Sequence, residues 1–363
     1  MDRHDLSETV TAENVAQLHK QDLNIQHKFR CRGLTYWFDE NRKTAFCLIE
    51  APDKQAIKDM HKQAHGDVPH KIIEVDASIV ESFLERIEDP EKSRKTELNI
   101  INDPAFRTLM VIGFKLNSLS INELNRVKSL SQKYKLMIAE IIKHFDGRIV
   151  NQNDDCFLVS FKSVSGAVLC AIEAYSKYHE QVDKADNKIM RLKIGSSAGV
   201  PVTEKGNIFE DAVKLAERMF SYVNSDIVLT TEVTDLFKSE NLNVFIQRDF
   251  FRTLTKSEET FLNLLIDFTK QVCNNTNVKV DEISKQLGFS KSQLYRIMIS
   301  ITGKSPNTFL REYRLNEALK LLNRQKGNVS EIAFETGFGS LSYFSKCFHN
   351  RYGLLPSDYL HAK

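Results

Sequence analysis

Residues 280–309 and 329–359 are two copies of one pattern, and any fold this chain adopts must accommodate both. "VDEISKQLGFSKSQLYRIMISITGKSPNTF" aligns with "VSEIAFETGFGSLSYFSKCFHNRYGLLPSDY" once one residue is inserted after Ser342. Ile283 then faces Ile332, Gly288 faces Gly337, Phe289 faces Phe338, Leu294 faces Phe344, Arg296 faces Lys346, and Pro306 faces Pro356. Each copy predicts a short helix, a glycine turn and a second amphipathic helix, which is the helix-turn-helix plan. Between the copies, "NTFLREYRLNEALKLLNRQKG" predicts a helix with Leu310, Leu315, Ala318, Leu319 and Leu322 on its apolar side. Such a helix holds the two motifs at a fixed separation.

In this plan each second helix lies in a major groove and its early residues reach base edges. The candidates are Ser292, Gln293, Tyr295 and Arg296 in the first copy, and Leu341, Ser342, Tyr343 and Lys346 in the second. Arginine and lysine address guanine, glutamine addresses adenine, and apolar groups read a thymine methyl. Leu294, Ile297, Phe344 and Phe348 are expected in the core, while Lys291, Lys304, Arg311, Arg314 and Arg351 are phosphate contacts or solvated charge. The doubled motif closely resembles the DNA-binding region of AraC-family transcription regulators. The resemblance covers about the last hundred residues, is most specific in "EIAFETGFGSLSYFSKCFHNRYGLLPSDY", and implies double-stranded DNA as partner.

Charge is distributed accordingly. Residues 257–363 carry 14 Lys+Arg against 10 Asp+Glu, whereas residues 1–90 carry 12 against 17, so a basic tail follows an acidic head. The two ends should meet different partners. No apolar run is long enough to span a bilayer, and "MDRHDLSETV" lacks the layout of an export signal. The six cysteines form no CxxC pair. Reduced thiols in the cytoplasm, with no membrane partner, are the expectation.

The head holds six of the ten histidines within its first seventy residues. "MDRHD", "GLTYWFD", "KTAFCLIEA" and "KIIEVD" predict strands, and "TAENVAQLHKQDLNIQHKF" and "PDKQAIKDMHKQAHG" predict helices, with Thr11 capping the first. The order βαββαβ is that of a ferredoxin-like sandwich. His61 and His65, four apart, leave their helix on one face and can reach one metal ion. His19 lies in the other helix three residues before Asp22, His4 lies in the first strand, and Cys47 sits in a strand with its sulfur free to face either way. Residues 1–80 resemble a small family of ferredoxin-like proteins for which nickel binding is the implied property, chiefly through "FCLIEAP" and "HKQAHG". That resemblance implies His4, His19, His61 and His65 as ligands, with Cys47 and Asp22 as further candidates. Imidazole suits nickel and zinc alike, so the cofactor is expected to be a divalent transition metal of either kind.

The charged stretch "RIEDPEKSRKTELNIINDP" predicts a linker. Beyond it, "FRTLMVIGFKL", "IIKHFDGRIVNQNDDCFLVSF", "MRLKIGSSAGVPV" and "IFEDAVKLAERMFSYVNSDIVLTTEVTDLF" resemble, in order and spacing, a class III nucleotidyl cyclase homology domain. Cyclase chemistry requires two carboxylates holding a pair of metal ions. In the resemblance the first falls on Gly113, the second survives as Asp155, the base-recognising lysine reads Asn151, the helix asparagine reads Lys214, and the arginine remains as Arg218. These domains build their sites across a twofold interface. The resemblance therefore implies a catalytically dead frame that pairs two chains or senses a nucleotide or other small ligand, rather than an enzyme.

The expected architecture is an α+β multidomain chain. It comprises a ferredoxin-like βαββαβ head over 1–88, a cyclase-like α/β sandwich over 104–251, and an all-α double helix-turn-helix tail over 257–363. Together these describe a homodimeric, metal-responsive transcription regulator. The rival readings are a regulator sensing through its middle, a surviving cyclase, and a head that serves only as a protein-interaction module.

Overall fold

A computed structural model describes residues 1–90, 98–116, 121–153, 156–241 and 250–361. The chain is α+β in its head and middle, each with one sheet among the described residues, and all-helical in its tail.

The head is built from β1 (Asp2–Asp5), α1 (Ala12–Ile25), β2 (Arg32–Asp39), β3 (Thr44–Glu50), α2 (Lys54–Ala64) and β4 (Lys71–Ile72). Its sheet runs β2-β3-β1-β4 with all pairs antiparallel, the ferredoxin-like order. Thr11 caps α1 in a reciprocal box with Asn14, and the Asp53 carboxylate accepts the Ala56 amide at 2.8 Å to start α2. The strand expected over "KIIEVD" closes after two residues. Its register with β1 sets Ile72 opposite Asp2 and Lys71 opposite Arg3. Ile73 instead exchanges bonds with Met1, its amide donating to Met1 O at 2.9 Å and its carbonyl accepting the terminal ammonium at 2.9 Å.

Runs such as "TYWF" and "AFCL" do not alternate with polar residues because this sheet is buried on both faces. Tyr36, Phe38, Ala45 and Cys47 face α1, packing with Val15 and Ala16. Trp37, Phe46 and Leu48 face the other way and join Leu109, Ile208, Phe209 and Ala212 of the middle. A further helix, α3 (Ala77–Leu84), buries Val80, Phe83 and Leu84 in the same cluster. The expected linker is not free where it is described. Tyr36 Oη donates to Asn99 O and accepts the Ile101 amide, both at 2.9 Å, and the Phe38 amide donates to Asp103 O at 3.1 Å. Residues 98–105 thus lie along the edge of β2, giving the outer Phe38 amide a partner it would otherwise lack.

The middle comprises β5 (Arg107–Leu116), α4 (Ile121–His144), β6 (Arg148–Gln152), β7 (Cys156–Phe161), α5 (Val164–Gln181), α6 (Lys184–Ile189), β8 (Met190–Gly199), α7 (Glu210–Tyr222), β9 (Ile227–Thr230), α8 (Thr231–Glu240) and β10 (Phe251–Leu254). The sheet order is β10-β9-β8-β5-β7-β6. Side chains alternate along β5. Met110, Ile112 and Phe114 enter a core shared with α4, α5 and α8, whereas Val111 meets Ala216 and Phe220 of α7 and Leu109 meets the head.

The tail is α9 (Lys256–Val272), α10 (Val280–Gln286), α11 (Lys291–Thr302), α12 (Pro306–Asn323), α13 (Val329–Glu335), α14 (Leu341–Tyr352) and α15 (Pro356–His361). The internal repeat recurs in the backbone: Gly288 and Gly337 both take positive φ, +75° and +83°, in the turns joining each helix pair.

Candidate nucleic-acid interface and metal centre

The two second helices of the repeat, α11 and α14, are amphipathic in a way that separates packing from reading. Leu294 of α11 and Phe344 and Phe348 of α14 are fully buried, and Ile297 is half-buried against the same core as Leu294. On the outer faces Tyr295 and Tyr343 are about half exposed, and Ser292, Arg296, Leu341, Ser342 and Lys346 are also exposed. Gln293 is exposed too, but its Oε1 accepts the Ser290 amide at 3.0 Å in a capping box, which leaves only its NH₂ for a base.

The basic residues divide. Lys291 pairs with Asp281 at 2.6 Å, and Lys304 and Arg351 approach Glu312 at 2.5 and 4.0 Å. Arg311 lies half-buried in a groove between α12 and α14 beside Tyr343 and Lys346. Arg314 is a structural residue. It donates through Nε to Cys273 O at 2.8 Å and through Nη2 to Asn275 O at 2.6 Å, fastening α12 to the end of α9.

In the head, α1, α2 and β1 converge on a small cavity lined by His4, His19, Asp22, Cys47, His61 and His65 among others. Asp22, His61 and His65 bring one donor atom each to within 4.8 Å of one another, and Asp2, His4 and Cys47 do the same. The groups adjoin: His61 Nε2 lies 3.1 Å from Asp2 Oδ2, His61 Nδ1 lies 3.1 Å from Asp22 Oδ2, and His65 Nε2 lies 3.2 Å from Asp22 Oδ1. His61 is 1% exposed and His4 4%. Cys47 faces the cavity because Asp2 and Tyr36, its cross-strand partners, occupy the helix side of the sheet.

Burial opposes the charged form of His61, yet hydrogen bonds and the charges of Asp2 and Asp22 outweigh it and push its pKa up to about 10. Burial pushes the Cys47 thiol well above its ordinary range. Both nitrogens of His4 and Asp22 Oδ1 are buried, and what they face is ionisable: His4 Nδ1 lies 3.3 Å from Asp67 Oδ2, His4 Nε2 3.7 Å from Asp2 Oδ1, and Asp22 Oδ1 3.2 Å from His65 Nε2. Buried imidazoles and carboxylates gathered this closely suit a divalent transition metal.

His19 behaves differently from the other expected ligands. It lines the cavity, but its Nε2 meets Asp89 Oδ2 at 3.1 Å and its ring packs against Tyr36. Asp2 and Asp67 were not singled out from the sequence. Asp67 Oδ2 lies 3.3 Å from His4 Nδ1, in the loop after α2. Asp2 carried a legible signal, since it is two residues from His4 in a strand and so shares its face.

Among the described residues, the cyclase-like positions do not assemble a two-metal site. Gly113 is buried and pairs across the sheet with Cys156 and Lys193. Asn151 is exposed on β6, and Lys214 pairs with Glu210. Asp154 and Asp155 lie outside the described residues. Arg218 is engaged by the tail, donating through Nη1 to Asn263 Oδ1 at 2.6 Å and through both terminal nitrogens to the Asp267 carboxylate. Gly113 shares a face with Leu109 and Val111, and that face is covered by α7 and by the head.

Residues 1–75 match the family described as nickel responsive protein SCO4226-like, and residues 283–362 match the family described as helix-turn-helix domain. Among curated proteins, the transcriptional activator RhaS of Mannheimia succiniciproducens is 32% identical over 87 residues, 23% of this chain and 32% of its own length. The uncharacterized HTH-type transcriptional regulator YdeC of Bacillus subtilis is 25% identical over 154 residues, 41% of this chain and 51% of its own. Histidine kinase P4 of Formosa agariphila is 34% identical over 107 residues, 30% of this chain and 8% of its own. The chain thus spans about half or less of these relatives. Among solved structures, the DNA-binding domain of AdpA in complex with a target DNA covers 27% of this chain and 87% of its own at 23% identity and a TM-score of 0.26. An adenylate/guanylate cyclase/hydrolase from Silicibacter pomeroyi covers 40% of this chain and 90% of its own at 24% identity and a TM-score of 0.31. No helix among the described residues is long and apolar enough to cross a membrane.

Proposed function

We propose that this chain, which joins an AraC-type helix-turn-helix tail to a head of the nickel-responsive SCO4226-like kind, is a DNA-binding transcription regulator that answers to a divalent transition metal. The observation that carries the DNA half is the outward presentation of Arg296 and Lys346 at matched places on two helices whose inner faces are spent on the core. Two such helices on one frame address successive major grooves of a single duplex.

Asp22, His61 and His65 would hold the metal, with Asp2, His4 and Cys47 as an adjoining set of donors. The ion supplies a positive charge that neutralises the buried carboxylates and ties β1 to both helices; no bond-breaking chemistry is asked of it. Nickel and zinc both fit this donor set. Metal acts on DNA binding only through a difference in affinity between competent and incompetent forms. The decisive experiment selects duplexes from a random pool with the full chain at moderate salt. It then measures affinity for the selected duplex with and without Ni²⁺ or Zn²⁺. Absence of any preferred duplex would end the DNA reading.

We also propose that the chain works without a second copy over the Leu109 end of the β5 face that carries Gly113, because its own head takes that place, with Trp37, Phe46 and Leu48 packed beside Leu109. The nucleotide-sensing alternative draws no support from Arg218, which is committed to the tail.

A further inference from the structure

α7 touches all three parts of the chain. Its first turn is buried against the head: Phe209, which precedes it, and Ala212 pack in one cluster with Met1, Trp37, Phe46 and Leu48, and the Phe209 ring lies 5.1 Å from that of Phe83. Its last turn is buried against the tail: Met219 and Val223 share a cluster with Phe261, Leu265, Ile301 and Phe309, and Tyr222 stacks on Tyr313 at 6.0 Å.

The head end is tied directly to the metal-centre strand. Arg3 stands between Asp2 and His4 on β1, and its Nη1 donates to Val202 O at 3.2 Å. The neighbouring Pro201 carbonyl accepts the Phe209 amide at 2.9 Å, so the loop entering α7 is held to that same point. A shift of β1 on metal uptake therefore bears on the start of α7.

The tail end acts through α9. Arg218 is 14% exposed at its side chain and grips Asn263 and Asp267 of α9. α9 in turn touches both copies of the repeat. Its Phe261, Leu262 and Leu265 share a cluster with Leu294 and Met298 of α11. Its C-cap, Cys273, accepts from Arg314 of α12 and lies so close to Gly337 that a Cβ there would stand 2.0 Å from the Cys273 carbonyl oxygen. Any displacement of α9 moves one reading helix relative to the other.

The bed beneath α7 is pinned at its far end by Lys193, whose ammonium donates to Val223 O at 2.6 Å, and is otherwise low in side chains. Gly195 and Gly199 lie under it on one face of β8, and a Cβ on Gly195 would fall 2.4 Å from Ala216 O. Between them Ser197 supplies one hydrogen bond, to Ala212 O at 2.5 Å. A helix seated on glycine meets few side-chain ridges resisting translation along the strand.

We infer that α7 is the element through which the metal centre biases DNA reading, and that Arg218 is the positioning residue that passes its displacement to α9. The inference rests on the proposed function and adds its route. The test uses the full chain and its selected duplex, with Ni²⁺ as probe. It compares wild type with Arg218→Met and with the pair Asn263→Ala and Asp267→Ala, which removes the side-chain acceptors, keeps only the longer contact to the Asn263 carbonyl at 3.3 Å, and leaves α7 unaltered should Arg218→Met fail to fold. In wild type Ni²⁺ should shift the duplex dissociation constant by about tenfold, within the usual span of allosteric coupling. In the variants Ni²⁺ stoichiometry and selective duplex binding should persist while the shift shrinks to below about twofold. Variants that retain the wild-type shift would overturn the role of Arg218 and leave the proposed function standing. A wild-type chain that binds its duplex but ignores metal would instead remove the metal reading, and this route with it.

Discussion

Asp2 and His61 stand 59 residues apart and meet in the buried floor of the head, carboxylate Oδ2 to imidazole Nε2 at 3.1 Å. The other oxygen of Asp2 accepts the Cys47 amide at 3.0 Å, which fixes the carboxylate's aim. An aimed carboxylate against a ligating imidazole orients the ring and raises its basicity. Asp2→Asn should accordingly weaken metal binding by about 10–100-fold while the fold survives. Titration calorimetry of the full chain with Ni²⁺ and Zn²⁺ measures this, and an unchanged affinity would remove Asp2 from the centre.

Arg296→Ala should cost about 1–3 kcal/mol at the selected duplex and leave weak nonspecific binding largely in place. Lys346 holds the matched position in the second copy and should behave alike. Gel-shift titrations on selected and scrambled duplexes decide it: equal loss on both would reassign Arg296 to phosphate contact.

The two turn glycines provide an internal comparison. Gly288 and Gly337 share a positive φ, so alanine at either carries the left-handed strain of about 1–2 kcal/mol. A Cβ on Gly288 would meet nothing within 4 Å, whereas one on Gly337 is blocked by the Cys273 carbonyl. Gly337→Ala should therefore lower the denaturation midpoint more than Gly288→Ala. Equal effects in parallel urea melts would contradict the close approach of α9 to that turn.

Lys193 is 8% exposed, and its ammonium donates to Val223 O at 2.6 Å. Burial, helped by Arg191, Lys115 and Lys304 and opposed by Asp226, lowers its pKa from 10.5 to about 7. Below about pH 7 the amine is charged in both folded and unfolded chains, and folding carries the full desolvation cost. Between about 7 and 10.5 the unfolded chain holds a proton that the folded chain does not, so this residue makes stability rise with pH across that window. Lys193→Met should flatten the rise between about pH 7 and 9 in urea-midpoint measurements. A parent and variant with parallel profiles would refute the shift.

What was legible in the sequence follows from where the determining interactions lie. The doubled tail was readable because its signals are local: glycine at each turn and apolar residues at helical spacing. The head's strand and helix order was equally local. His61 and His65 could be placed together from their spacing of four, whereas His4 joined them only through the family resemblance. The pairing of His19 with Asp89 was not readable, since it depends on a loop returning across seventy residues. Nor was the burial of "TYWF" on both faces, although the absence of alternation hinted at it; the cover comes from Leu109 and Phe209, far along the chain. The capping use of Gln293 was within reach, because Ser290 three residues ahead of a glutamine is itself a helix-start pattern.

The cover that Trp37 and Phe46 place over Leu109 has a thermodynamic corollary. A lid supplied by a separate molecule comes off on dilution, since its occupancy follows mass action. One delivered by a tether is held at a local concentration that the volume of the solution does not alter. Sedimentation velocity across a hundredfold range of loading should return one invariant species.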